Sequence, residues 1–311
     1  MTRIPRLSIG LPVYNGEEYL DEALEALLGQ TYEDFELIIS DNASTDGTVD
    51  ICHRFAKEDA RIRLIRQNEN VGAAPNHNFL FRVARGELFK WASHDDLYGR
   101  DLLLRCVEAL DEHPEAVLAH AGTAIIDGDG GVTAPFEYRL ATDSPHPPTR
   151  FRALLFADGG DDFYGVMRSA ALHRVKPHDS YHHADRTFVA DIALQGPFHQ
   201  VPELLYFRRD HPDRAERANK TIRSRCANLD PRRANSRRHP TVRLLGGYVW
   251  GWIRIVQRAP ITPAERAECY RHLSEWLGRR ALRREPSEEF AHVDNDLDLV
   301  VDSVVAGRGG R

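Results

Sequence analysis

The stretch LSIGLPVYNGEEYLDEALEALLGQTYEDFELIISDNASTDGT, Leu7–Thr48, decides the fold. Leu7–Val13 is a β-rich run, and in the segment after it Leu20, Leu24, Leu27 and Leu28 recur with helical spacing. FELIISD (Phe35–Asp41) opens a second unit, and Val49, Cys52, Phe55 and Ala56 mark one side of the helix that follows. Working outward, RIRLIR (Arg61–Arg66) is a third strand, a third helix runs over residues 75–85, and ELFKWAS is a fourth strand. Gly86 is suited to the left-handed position just past that third helix. Strands alternating with helices predict a parallel sheet covered by helices on both faces. Ligands of such sheets bind beyond the carboxyl ends of the strands. The polar clusters sit there: Pro12, Tyr14, Asn15 and Glu17 after strand one, SDNASTDGT after strand two, NENVGAAPNHN after strand three, and His94, Asp95 and Asp96 after strand four.

The 311-residue chain is 42% hydrophobic and 28% charged, enough to bury a full core in one large domain with an appendage, or in two domains. The N-terminus lacks the apolar region of a signal peptide, and no apolar run approaches the roughly 18 residues of a spanning helix. A cytoplasmic location is therefore expected. Cys52, Cys106, Cys226 and Cys269 are scattered with no CxxC pair, so they read as reduced packing residues. The net charge of −6 hides an asymmetry: residues 217–284 carry 17 Lys/Arg against 4 Asp/Glu, a local +13, which leaves −19 elsewhere. Two readings stand, solvated helix faces or a surface that meets an anionic partner. No nucleic-acid partner is expected.

Asp41, at the end of strand two, is where dinucleotide-binding folds place the acid that holds a ribose. The first turn argues against a dinucleotide, because it lacks GxGxxG and contains Pro12, which has no N–H to offer a pyrophosphate. No GxxxxGK[ST] loop occurs either. A diphosphate must then be neutralised another way, and a divalent cation, Mn2+ or Mg2+, held by Asp95 and Asp96 would do so. The alternative is that one of the pair caps the helix starting near Gly99.

PVYNGEEYLDEALEALLGQTYEDFELIISDNASTDGT, NVGAAPNHN, ARGELFKW and HDD, in that order, resemble the family 2 glycosyltransferases of GT-A fold, nucleotide-sugar-dependent enzymes that are typically inverting. The resemblance covers residue 7 to about residue 121 and resumes in DFYGVMRSAAL, HHADRTFVADIALQG and VPELLYFRRDHP. It implies a Rossmann-like, mostly parallel sheet flanked by helices. It also implies that Pro12 and Tyr14 pack on the base and ribose, and Glu17 of the same turn is expected at the donor site. Asp41 would hydrogen-bond the base, Asn42 and Asp46 would lie beside it, and Asn78 would lie near the donor. Asp95 would face ribose and metal, with Asp96 as principal metal ligand. His94 stands where many members carry an acid, and His77 where many carry arginine. Inverting transfer needs a carboxylate to take the proton of the attacking hydroxyl, and the family places its base at Asp185. On its own Asp185 reads as a helix cap, with Phe188, Val189, Ile192 and Ala193 forming the apolar side of its helix; Asp191 lies within the same helix.

The expected organisation is a catalytic domain over residues 1–215, donor half to about residue 121 and acceptor half 122–215, then a basic helical region 216–311 with an acidic tail. Arg208 and His211 either close over the diphosphate as a loop or belong to a surface connector. Asp127–Thr149, rich in Gly and Pro, is expected to be an irregular insertion on the acceptor side. In the basic region Leu245, Val249, Trp252, Ile253 and Val256 form a stripe that packs on the catalytic domain or lies on an anionic membrane. The function expected is metal-dependent transfer from a nucleoside-diphosphate sugar, a UDP-sugar first, to a hydroxyl of a saccharide, lipid-linked or small-molecule acceptor. A non-catalytic nucleotide-sugar-binding module and a dinucleotide-dependent oxidoreductase are the rival readings.

Overall fold

The computed structural model describes residues 4–156, 161–212, 214, 219 and 221–282. Its first half is the expected alternation: β1 (Leu7–Val13), α1 (Leu20–Leu28), β2 (Phe35–Asp41), α2 (Thr48–Glu58), β3 (Ile62–Arg66), α3 (Ala73–Val83) and β4 (Leu88–Trp91). These strands pair in parallel in the order β3-β2-β1-β4. Every residue of β2 and β4 is buried, because helices cover both faces, and this is why the strands read as continuous apolar runs and not as alternations. On one face α1 lays down Leu20, Ala23, Leu24 and Leu27.

Gly86 departs from expectation. Helix α3 stops at Val83, and Ala84 is extended with φ −66° and ψ 151°, so no left-handed cap follows. A Cβ on Gly86 would lie 2.6 Å from the Ser8 backbone nitrogen. The glycine is needed for close backbone approach to β1, not for a turn of positive φ.

The second half holds β5 (Leu97–Tyr98), α4 (Leu102–Glu112), β6 (Leu118–Ile126), β7 (Val132–Phe136), α5 (Pro147–Phe156), β8 (Val166–Arg168), α6 (Ser169–Leu172), α7 (Ala184–Ala193) and β9 (Phe198–Arg209). The sheet continues β4-β8-β6-β9-β5, with β7 on β6, which makes nine strands among the described residues. Strand β8 runs antiparallel to both β4 and β6, while β9 runs parallel to β6 and antiparallel to β5. The Asp127–Thr149 segment is not wholly irregular: it turns at Gly130, φ +84°, into β7 and supplies the first turn of α5. Strand β7 is mostly exposed, so it carries no apolar pattern by which a sequence reading could find it.

Among the described residues three α-helices follow: α8 (Ile222–Leu229), α9 (Thr241–Arg258) and α10 (Pro263–Leu282). Helix α9 buries Leu244, Leu245, Tyr248, Trp252, Ile255 and Val256, most of them in one core with Phe151, Val189 and Trp276. Trp252 meets Phe151 edge-on at 5.5 Å, and truncation of such a core aromatic costs about 3–5 kcal/mol. The apolar stripe of α9 therefore packs on α5 and α7. Among the described residues no helix is long and apolar enough to cross a membrane. All four cysteines are free and buried.

Candidate active site

The loops after β1 and β2 are clasped together. Asn15 accepts from the Thr45 N–H at 2.9 Å and donates its own N–H to Ser44 Oγ at 2.9 Å, while the Gly16 N–H reaches Thr48 Oγ1 at 2.9 Å. Glu17 accepts from the Gly47 N–H, and Asp46 accepts from the Glu17 and Thr48 N–H groups. Glu17 and Asp46 thus hold one loop on the other. Asn42 likewise spends its amide on the next loop, donating to Asn70 Oδ1 at 3.0 Å and accepting from the Val71 N–H at 2.9 Å. Asn15 and Ala43 have φ of 50° and 63°, left-handed backbone that costs a non-glycine residue about 1–3 kcal/mol and persists where surroundings over-determine it.

Asp41 is fully buried between these loops. Its Oδ1 accepts from the Ser44 N–H at 3.1 Å. Arg66 Nε lies 3.2 Å from Oδ2 but is not aligned for a hydrogen bond, so that buried oxygen keeps an open acceptor among the described residues. Tyr14 is 42% exposed at the same sheet edge, and Pro12 is half-buried.

At the end of β4 the two carboxylates turn in different directions. Asp96 is fully buried; its Oδ2 accepts from the Tyr206 hydroxyl, its Oδ1 accepts from the Arg209 N–H at 2.9 Å, and Arg214 stands 3.5 Å from Oδ1. Burial and the Asp95 charge push the Asp96 carboxyl up, against the pull of Arg214 and these hydrogen bonds. Asp95 accepts from the Ser93 hydroxyl, and its Oδ2 lies 3.0 Å from His211 Nε2. Burial alone would raise Asp95, but His94, Arg214 and the hydrogen bonds from Ser93 and His211 outweigh it and hold the carboxyl down. Among the described residues no three His, Cys, Asp or Glu side chains converge as a preformed metal centre. His94 nests against the first loop because Gly16 has no side chain: a Cβ there would lie 2.4 Å from the ring.

Arg209 locks this corner and was not identified from the sequence. Its side chain is fully buried and donates to the Asp95 carbonyl at 2.9 Å, the Gly128 carbonyl at 2.5 Å and Glu22 at 2.6 Å, over the Tyr19 ring. Arg208, one strand position earlier, lies instead over the Phe136 ring of β7, as period-2 alternation requires. Tyr206 and Arg214 also escaped the sequence reading; only the pairing of β9 brings them to Asp96.

Two other expected residues lie further along the sheet. The Asn78 amide donates to the His178 carbonyl at 2.7 Å and accepts from the His178 N–H at 2.8 Å, which ties α3 to the segment before α7. Asp185 lies in the first turn of α7, which begins at Ala184 directly after His183, whose φ is 56°. Burial pushes its carboxyl above the ordinary aspartate range, with Arg186 pulling the other way. Asp191, on the same helix, pairs with Arg258 at 2.6 Å.

The model of "Glycosyl transferase family 2" matches residues 8–175, more than half of the chain. EpsE of Bacillus subtilis is 29% identical over 225 residues, 70% of this chain and 77% of EpsE. The chain spans only 35% and 50% of the length of two further curated relatives. Among solved structures, Staphylococcus aureus TarS 1–349 in complex with UDP superimposes with a TM-score of 0.54 at 16% identity, covering 91% of this chain and 95% of that one. The mannosyltransferase PcManGT of Pyrobaculum calidifontis, in complex with GDP-Man and Mn2+, does so with a TM-score of 0.53 at 18% identity, covering 100% and 89%. With clasped loops at the carboxyl edge of a parallel half-sheet and a carboxylate pair at the end of β4, the chain belongs to glycosyl transferase family 2 and has the GT-A fold.

Proposed function

We propose that the chain is an inverting glycosyltransferase that moves a sugar from a nucleoside-diphosphate sugar, a UDP-sugar first, to a hydroxyl of a saccharide or lipid-linked acceptor. The observation that carries this reading is the corner at the end of β4, where Asp95 and Asp96 meet His211, Arg209 and Arg214 beside the loops that surround Asp41. TarS in complex with UDP and PcManGT with GDP-Man support the donor class. The open Oδ2 of Asp41 is an acceptor for the N–H of a base, and Tyr14 and Pro12 supply apolar surface for base and ribose. A cytoplasmic location goes with such a donor.

The corner fits a divalent cation through Asp95 and His211. Their facing nitrogen and oxygen lie 3.0 Å apart, close enough that both could turn to one ion, and a carboxylate oxygen would suit Mn2+ or Mg2+. Asp95 and His211 would hold it, and Asp96, anchored by Tyr206 and Arg209, adds charge from beneath. When bound, the cation neutralises the diphosphate leaving group. Asp185 takes the proton of the acceptor hydroxyl as its oxygen bonds to the anomeric carbon. The bond from that carbon to the diphosphate oxygen breaks, and the nucleoside diphosphate leaves with the electron pair.

Thermal-shift measurements over a panel of UDP-, GDP- and dTDP-sugars, with and without manganese, test the reading, since a ligand bound to the native state raises Tm. A metal-dependent rise with one nucleotide, weakened in Asp41→Ala, is expected. No shift with any donor would sink the proposal, and binding without transfer to any acceptor would make the chain a binding module.

A further inference from the structure

A cleft of about 470 Å³ contains none of Asp41, Asp95 or Asp96. It is walled by the segment before α7, by Ala184, Thr187 and Asp191 on one face of that helix, and by α9. Its volume lies within the about 300–1,000 Å³ usual for small-ligand sites. Four cations line it: Lys176, Arg233, Arg243 and Arg254. The two carboxylates on its wall are already answered, Asp179 by Arg233 at 3.5 Å and Asp191 by Arg258 at 2.6 Å. Lys176, Arg243 and Arg254 have no carboxylate within ion-pair distance among the described residues. Trp250, 48% exposed, offers a flat ring at the rim with the Arg254 guanidinium 5.4 Å from its centroid.

Gly246 and Gly251 of α9 line the cleft with opposite surroundings. A Cβ on Gly246 would meet nothing within 4 Å, and one on Gly251 would collide with the Tyr181 hydroxyl at 2.2 Å. An exposed aromatic face beside unneutralised cations matches a sugar ring carrying phosphate, the ring stacking and the phosphate taking charge-assisted hydrogen bonds. Asp185 follows Ala184 of the cleft wall directly in the first turn of α7.

We infer that this cleft binds the phosphate-bearing end of a saccharide acceptor, beside the first turn of α7 that carries Asp185. The inference rests on the glycosyltransferase reading for its catalytic sense, but the binding is measured without donor. A fluorescein-labelled trisaccharide carrying a terminal phosphate and its unphosphorylated twin are compared by anisotropy. The phosphorylated probe should bind at least about tenfold tighter at low salt, with the advantage shrinking as salt rises. The double variant Arg243→Gln/Arg254→Gln should lose about tenfold in affinity for it, the size of one or two exposed charge-assisted contacts. Gly246→Leu, which fills open space in a helix where leucine is the better former, should abolish binding with Tm unchanged or raised. UDP binding should be the same in all variants; its absence from wild type would sink the donor reading and leave the cleft result standing. Equal binding of the two probes, or full binding by Gly246→Leu, overturns the inference. So does a wild-type protein that ignores the phosphorylated probe yet co-sediments with phosphatidylglycerol vesicles, since the basic face would then be a membrane surface.

Discussion

Replacing Arg209 by Met should unlock the corner that holds both carboxylates. The arginine is fully buried and donates to the Asp95 and Gly128 carbonyls and to Glu22. Methionine fills much of the same space and donates nothing. The buried Asp95 carbonyl would lose its donor, at about 1–3 kcal/mol, and the part-buried Gly128 carbonyl would lose its own at less. Glu22, 57% exposed, turns to water at little cost, and removal of a buried cation returns part of its desolvation penalty. The expected loss is about 2–4 kcal/mol, a fall in the urea midpoint of about 1 M with the slope unchanged. Donor affinity should fall with it, because the same guanidinium fixes the Asp95 backbone. Arg208→Met is the control: that side chain lies over the Phe136 ring of β7, and its loss should cost less than that of Arg209. Urea titration followed by tryptophan fluorescence measures both. A loss below about 1 kcal/mol for Arg209→Met, or equal losses for the two variants, would refute the assignment of faces on β9.

Asp185→Asn should lower transfer by about 10²- to 10⁴-fold with donor Kd unchanged, and transfer near wild type would move the base to another carboxylate. Burial raises Asp191 to about 6 despite its bond to Arg258. The folded carboxyl therefore holds its proton more tightly than the unfolded chain, and stability should fall by at most about 3 kcal/mol as pH rises from 4 to above 6. Asp191→Asn should flatten that fall in urea titrations at pH 4.5 and 7.5, and identical pH slopes would acquit Asp191. Gly16→Ala should lower Tm, at about 1–3 kcal/mol of overpacking against His94, whereas Gly246→Ala, facing open space, should raise it by about 0.5–1 kcal/mol of helix propensity; the same sign for both would contradict the packing.

The first half of the sheet was legible because its information is local. Runs such as Leu7–Val13 and Phe35–Asp41 are apolar throughout and bounded by Gly, Pro, Asn and Asp, and the helices between them repeat leucine at helical spacing. That order alone brings Asp41, Asp95 and Asp96 to one sheet edge. Gly86 was misjudged because a glycine after a helix and a glycine under a neighbouring strand look alike in one dimension. Strand β7 was missed because its exposed residues carry no apolar alternation.

The sequence by itself determined the fold class, the carboxyl-edge loops and the identity of the carboxylates, since each depends on contacts between near neighbours in the chain. Only the tertiary structure decided what each polar group does. Asn78 meets His178 across 100 residues, and Asp96 meets Tyr206 across 110. The choice of Arg209 over Arg208 depends on the register of β9, and β9 pairs with β6 through shifts on both sides of Gly122. A one-residue change in register turns every side chain to the other face, and nothing local in VPELLYFRR records which register the sheet will select.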